Sequence, residues 1–582
     1  MSKYFELLKS YCDRLVENQI KELTDASFHG GVLCPSCALI HGRIGDAVYP
    51  LAAMYDYTGD EKYLECARGV VEWSERNVKI ADGGYKNDMM KDWIGISVFS
   101  SISFGEALLH HGDCLDAETR AEWERIHVRI TDYVYRTFVK PSFSTNVNYF
   151  FAYCSALAIA YRLTSDEKYK DAAYSMAERV VREHITADGL IHGEGSPAGN
   201  KKTPKGSYGV DIGYNVEESL PALTAFAHYM NDEKYMEIAL SLWRSHLELM
   251  LPDGAWDNSF GTRHNKWTYY GSRTSDGCQT GLCYIWDKDP IFAEAAERNF
   301  ELIRECSRDG YLYGGRMYIE AGELPCLHHS FAHAKALAAL IDSGFEHKER
   351  AALPRETEYG LRELKSVNVE LVSVGDFRAT VSGYDCIKYT GAATAGGAMT
   401  LLYHKDYGTV FASSVEEYSI TEALNMQMPN GFLHCRCTTP RIENGKYRSI
   451  NALDCSLSAN ESDGRVSIKA SGVLRDGRFE ESAPYTIEYF FDKDSIIIKA
   501  VSESGGTLAL PVVCGTDGEI LCCGEYTDVT CADRRVRLTS SEKIVCDENE
   551  PRIFNLVGGF IAANLKINLT AGVPCEVTLT VL

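Results

Sequence analysis

Three near-copies of one phrase, Thr58-Gly-Asp-Glu-Lys-Tyr63, Thr164-Ser-Asp-Glu-Lys-Tyr169 and Asn231-Asp-Glu-Lys-Tyr235, recur in the first half of the chain. Each sets an Asp where a helix N-cap belongs, follows it with acidic first-turn residues, and opens a stretch with apolar residues at helical spacing. A second phrase closes such stretches: Asp82-Gly83, Asp188-Gly189, Asp253-Gly254 and Asp309-Gly310. Asp-Gly supplies the turn after a helix. Reading outward from these marks predicts helices of two alternating kinds. One kind, charged and amphipathic, covers 2–22, 61–78, 116–138, 166–186, 232–250 and 290–307. The other, richer in Ala, Gly, Ser and apolar residues, covers 43–57, 92–112, 147–163, 219–230, 275–286 and 329–343. Their natural packing sets the second kind as an inner ring inside the first, an (α/α)6 toroid over 1–343.

The links between these helices are unequal. Inner-to-outer links are short, while the outer-to-inner links 79–91, 187–218, 251–274 and 308–328 are long. In a ring of hairpins all outer-to-inner links leave at one end, and long loops in a compact domain are usually functional. One mouth of the toroid is therefore expected to be built up into a site. Residues 344–365, with Pro354 and many charges, read as a linker. Over 366–582 the texture turns to β-branched and aromatic runs such as Tyr485–Phe491, punctuated by Asn444-Gly445, Asp463-Gly464 and Asp476-Gly477, hairpin signals that predict an antiparallel β-sandwich.

Hydrophobic content of 45% and charged content of 24% exclude extended disorder. The net charge of −23 argues against nucleic acid and anionic membranes as partners, and requires a local basic patch for any acidic substrate. The N-terminal stretch lacks the apolar core of a signal peptide, so a cytoplasmic protein with reduced thiols is expected. Cys34-Pro-Ser-Cys37 has the spacing of half a zinc site, but no second CxxC completes it, and a tight Pro-containing loop is the expectation, with neither metal nor cofactor. A homo-oligomer is compatible with the sequence.

The expected mouth carries carboxylates, amides, cations and aromatic rings, the mixture a sugar site needs. In Asp211-Ile-Gly-Tyr214-Asn-Val-Glu217-Glu218-Ser-Leu-Pro221, Pro221 suits a first helical turn and Ser219 an N-cap. Glu217 and Glu218 then precede a helix N-terminus, which favours a base or nucleophile; Glu218 as a mere cap is the alternative. Asp88 is the second carboxylate candidate, with capping again as its alternative. The loop holding Trp256, Asp257, Arg263, Lys266, Trp267 and Arg273 gathers cations and aromatics in an acidic chain, so Arg263 or Arg273 is expected to clamp a substrate carboxylate. Loop ion pairs to Asp257 and Asp276 are the alternative. Asn148, Asp211, His328 and His329 complete the candidate binding set; His329 and His333 share a helix face, but no third ligand accompanies them.

With these residues in view, the chain resembles toroid-plus-sandwich enzymes that cut uronic-acid-containing glycans. The resemblance is clearest in HGRIGDAVYP (41–50), NDMMKDWIGISVF (87–99), VDIGYNVEESLPAL (210–223), WDNSFGTRHNKWTYYGSRTSDGCQ (256–279) and LHHSFAHAKAL (327–337). It implies one of two branches. Toroid-fold glucuronidases, including glycoside hydrolase family 154, imply hydrolysis by paired carboxylates, here Glu217 and Asp88, of an oligosaccharide or glycoside carrying a uronic acid. Heparinase II/III-like lyases imply β-elimination with Asn148, Tyr214 and a toroid histidine. The His-Gly-His-Ala-Asp segment of the heparinase-type sandwich has no counterpart after residue 366, where His404 is isolated. Hydrolysis is therefore the main expectation and elimination the alternative, with a sugar epimerase and a non-catalytic glycan-binding protein as further ones.

Overall fold

A computed structural model describes residues 2–21, 24–89, 92–140, 143, 145–194, 202–389, 391–416, 418 and 436–582. The repeated phrases do what their chemistry predicts. Asp60, Asp166 and Asp232 each accept a hydrogen bond from a first-turn backbone N–H, at 3.1–3.2 Å, and open the helices Glu61–Asn77, Glu167–Glu183 and Glu233–Leu247. With Lys3–Asn18, Ala117–Thr137 and Pro290–Glu305, these form the outer ring.

The inner helices are Val48–Thr58, Ser97–His111, Asn148–Thr164, Leu220–Met230, the short Gln279–Leu282 and Leu327–Asp342. Each packs on the next, and the last packs back on the first, so the ring closes. All four Asp-Gly glycines adopt positive φ, and each turns a small antiparallel pairing that starts the long link: Lys79 to Tyr85, Ile185 to Ile191, Met250 to Trp256, and Ser307 to Leu312. Glycine serves there because it enters the left-handed region without a Cβ penalty.

The second part of the chain is antiparallel throughout. Five strands in sequence order, Gly360–Leu364, Val369–Val374, Phe377–Ser382, Ala398–His404 and Gly408–Ala412, form a meander. The remaining strands form a second, larger sheet. The middle three strands of the meander are buried at every residue, unlike a half-solvated strand. Val369, Leu371 and Leu401 pack into the helical core, whereas Val372, Phe377 and Met399 pack with Ile468, Tyr489 and Leu510 of the larger sheet. The small sheet is thus a middle layer with two apolar faces. The connecting segment is anchored: Arg355, wholly buried, pairs with Asp257 of the toroid at 2.8 Å and donates to the Ala379 carbonyl.

Candidate active site

A cleft of about 390 Å³ opens at the toroid mouth. Its walls come from the long links and the helix starts beside them: Asn87 from 79–91, Tyr214 from 187–218, Arg263, Lys266 and Thr274 from 251–274, and His328 from the last inner helix. Thr145, Asn146 and Tyr149 line it beside the third inner helix, and Lys388 reaches it from the sandwich.

The helical segment behind Tyr214 and Glu218 is irregular. Asp211, not Ser219, caps it, accepting from the Tyr214 N–H at 3.2 Å. One α-turn, Ile212–Tyr214, runs into π-helical Asn215–Ser219 before the helix Leu220–Met230. Pro221 has no N–H to give, and the wider π-turn ahead of it takes up the mismatch, so the helix starts earlier than proline alone suggests. Tyr214 and Glu218, four residues apart, share the face that looks into the cleft.

The Tyr214 hydroxyl meets three polar partners in the wall. It receives the Lys266 ammonium at 3.2 Å and the Arg263 guanidinium at 3.4 Å, and it shares a short hydrogen bond with the Thr274 hydroxyl. Arg263 also lies over the phenol ring, 4.4 Å from its centre. Both cations therefore stand where they would stabilise negative charge developing on that oxygen.

The floor is an ionic network. Arg43 contacts Asp46 at 2.6 Å, Glu218 at 3.3 Å and Asp276, while Lys335 reaches Asp276 at 2.8 Å. Burial pushes the Glu218 carboxyl up to about 8, against the pull of Arg43. Lys335 and Arg43 hold Asp276 below the usual carboxylate range despite its burial. Burial, reinforced by Arg43 and His41, holds the His328 imidazole well below its ordinary value, so it is neutral at physiological pH.

The sequence-predicted residues divide. Tyr214, Glu218, Arg263, Lys266 and His328 line the cleft together. Glu217 does not line it: fully buried, it accepts the Ser272 N–H at 2.8 Å, approaches His333 at 3.4 Å, and is covered by Gly271, where an added Cβ would fall 1.8 Å from the carboxylate. Asp88 is 5% exposed, accepts from the Asn87 amide at 3.0 Å, and is not among the lining residues. Asn148 is buried behind the wall, its amide donating to Glu218 and its backbone N–H to Glu194 at 2.8 Å.

Others hold the fold together. Asp211 acts as the cap, bonded also to Asn258 at 3.0 Å. Trp256 and Trp267 are wholly buried, the Trp267 indole donating to the Trp256 carbonyl at 2.9 Å, so neither offers a face to a sugar. Asp257 belongs to Arg355, and Arg273 donates to the Leu556 carbonyl and the Tyr318 hydroxyl, tying toroid to sandwich. His329 is buried and bonded to the Tyr270 hydroxyl at 2.5 Å. The exposed ring at the mouth is Trp93, 37% exposed, with its indole N–H on the Tyr149 hydroxyl at 3.0 Å.

Sequence reasoning missed Thr274, Lys388 and Glu194. Glu194, wholly buried, lies 3.4 Å from Arg263 and braces both that cation and the Asn148 backbone. Its place in the long link 187–218 was the signal for it. Lys388 has no local signal, because the contact crosses between domains.

Comparisons with known proteins place this geometry. Family models described as the ulvan lyase N-terminal domain and the ulvan lyase C-terminal domain match residues 8–357 and 361–582. A protein of Formosa agariphila named broad-specificity ulvan lyase is 40% identical over 466 residues, covering 78% of this chain and 72% of that protein. Among solved structures, heparinase III has a TM-score of 0.54 at 13% identity, covering 92% of this chain and 75% of that one. A chondroitin AC lyase of Streptomyces coelicolor has a TM-score of 0.53 at 11% identity, covering 100% and 80%. These two show the shared architecture of helical toroid followed by antiparallel sandwich. The match to lyases overturns the expected glucuronidase-type glycoside hydrolase. It agrees with Glu217 standing behind the cleft, on a separate cavity, and with Glu218 being, among the described residues, the carboxylate that lines the cleft. Matched by the family over both its helical and its sandwich parts, the chain belongs to the ulvan lyases.

Proposed function

We propose that the protein is a polysaccharide lyase that cleaves a uronate-containing chain of the ulvan type by β-elimination in this cleft, with Tyr214 as the base. The observation that carries the reading is the Tyr214 hydroxyl held between Lys266 and Arg263 in the cleft wall. Elimination requires a base for the proton on the carbon beside the uronate carboxylate, and groups that lower the charge of that carboxylate as negative charge develops. Lys266 and Arg263 stabilise negative charge on the oxygen that takes the proton. The electron pair left on carbon forms the double bond, the bond to the leaving sugar oxygen breaks, and that oxygen recovers a proton. No water enters the bond that is cut.

Glu218, protonated near neutrality, donates a hydrogen bond to the uronate carboxylate instead of repelling it, as a carboxylic acid kept neutral by burial can. Asn148 positions Glu218 from behind, a different part from the direct substrate contact expected of it. Asn146 supplies a further amide at the surface of the cleft, neutral His328 an acceptor or donor, and Lys388 a cation for an anionic chain. Trp93 offers an apolar face for a sugar ring.

Incubation with ulvan, with the product followed by the ultraviolet absorbance of an unsaturated uronate, tests the reading. New reducing ends without that absorbance, carrying oxygen from labelled water, would overturn it.

A further inference from the structure

The CxxC near the N-terminus does not stand by itself in the fold. Cys34, Cys37 and His41 present two sulfurs and one imidazole nitrogen that all lie within 4.8 Å of one another. Cys326, remote in sequence, comes beside two of these three, outside the tight group itself, with its sulfur 3.8 Å from that of Cys34 and 4.0 Å from Nε2 of His41. Cys37 Sγ stands 3.2 Å from the same His41 nitrogen. We propose that Cys34, Cys37, His41 and Cys326 form a zinc site of the three-cysteine, one-histidine type.

The distances suit that metal. A tetrahedral ion with Zn–S of about 2.3 Å and Zn–N of about 2.0–2.1 Å sets its ligand atoms about 3.8 Å apart for S to S and about 3.6 Å for S to N. Of the six edges of such a site, the Cys34–Cys326 S to S edge equals the first figure, and the Cys37–His41 and Cys326–His41 S to N edges, 3.2 and 4.0 Å, bracket the second, while Cys326 has still to draw in to complete the group around the ion. The loop is shaped to present its ligands. Ala38 adopts φ of 54°, a left-handed value costly for a residue with a Cβ, and its N–H bonds the Cys34 carbonyl at 3.0 Å while the Cys34 N–H bonds the Leu39 carbonyl at 2.9 Å. Three thiolates and a neutral imidazole are a soft donor set that selects zinc over magnesium or calcium.

Position gives the site its purpose. The Cys34–His41 loop leads directly into Arg43 of the cleft floor. Cys326 is the N-cap of the helix that carries His328. The metal therefore clamps the first inner element of the toroid to the last, at the seam where the ring closes and beside the cleft. Spacing rules did not find it, because the missing half of the site is not a second CxxC but one cysteine brought in by ring closure.

The test uses the full-length protein, purified under reducing, chelator-free conditions and analysed for metal, then stripped and titrated with cobalt(II). We expect one zinc per chain, and a cobalt adduct with sulfur-to-metal charge transfer and the intense ligand-field bands of a tetrahedral site. Cys326→Ser should lose about a third of the charge-transfer intensity, one of three thiolates, or all binding. Cys326→His should bind with an altered spectrum, and Cys514→Ser, in the sandwich, should leave the spectrum unchanged. A fully reduced wild-type protein that takes up neither metal overturns the proposal without recourse to any variant. So does a Cys326→Ser protein with the unaltered spectrum, or a native disulfide among these cysteines.

Discussion

Lys266 places its ammonium 3.2 Å from the phenol oxygen of Tyr214, and both side chains line the cleft. Removing the hydroxyl removes the proposed base while leaving the ring and its cation contacts. Tyr214→Phe is expected to lower kcat by ~10²-fold or more, within the range for acid–base residues, with unchanged circular dichroism. Lys266→Met keeps the base but removes the cation beside its oxygen, so kcat/KM should fall by less than in Tyr214→Phe. Product absorbance across a pH series measures both.

Glu217, with Asp88, was expected to carry hydrolysis, and its position behind the cleft gives a sharp outcome. Burial raises its carboxyl above the usual range, and an amide can still accept from the Ser272 N–H. Glu217→Gln should therefore keep kcat within several-fold of wild type at neutral pH. A loss as deep as that of Tyr214→Phe would return Glu217 to the chemistry.

Two tryptophan substitutions should separate binding from folding. Trp93→Ala removes an exposed ring at the mouth, and KM for polymeric substrate should rise several-fold with little change in melting temperature. Trp267→Ala removes a wholly buried ring and should cost about 3–5 kcal/mol of stability. Thermal melts alongside steady-state kinetics read both effects.

Asp211 gives a stability prediction with a definite sign. Burial raises its carboxyl from 3.8 to about 7. A group whose folded value lies above its unfolded value contributes stability that is fully present below the unfolded value and lost as pH rises through the folded one. Between pH of about 4 and about 7 this residue should therefore destabilise the wild type as pH rises, by on the order of 1.4 kcal/mol per pH unit. Asp211→Asn, which keeps a capping side chain, should flatten that slope in melts recorded across the window.

What was legible in the sequence was what local chemistry determines. The Asp caps, the Asp-Gly turns and the inner–outer alternation depend on neighbours within a few residues, and the helices followed them, except that the inner helix expected over 275–286 shrank to Gln279–Leu282. The cleft's location was legible for the same reason, since link lengths are local. Roles within it were not. Arg263 and Arg273 look alike in one loop, yet one faces the cleft and the other bonds Leu556 of the sandwich. Trp93, Trp256 and Trp267 all read as mouth aromatics, yet of the three Trp93 alone is exposed. Burial is set by partners far along the chain, and pattern carries no record of them. The π-turn before Pro221 displaced the cap from Ser219 to Asp211 for a related reason: a proline fixes its own φ but not how the preceding turn accommodates it.

The five-stranded sheet with two apolar faces bears on how the gene can be cut. A fragment ending after the last toroid helix would strip the cover from one hydrophobic surface, orphan Asp257 by deleting Arg355, and leave the Arg273 guanidinium without its Leu556 acceptor. A fragment starting at the sandwich would present the opposite surface to water. Each half would be sticky in isolation, prone to inclusion bodies and quick to be digested. Shuffling with homologues should therefore exchange the middle sheet together with the toroid it covers, or leave both in place.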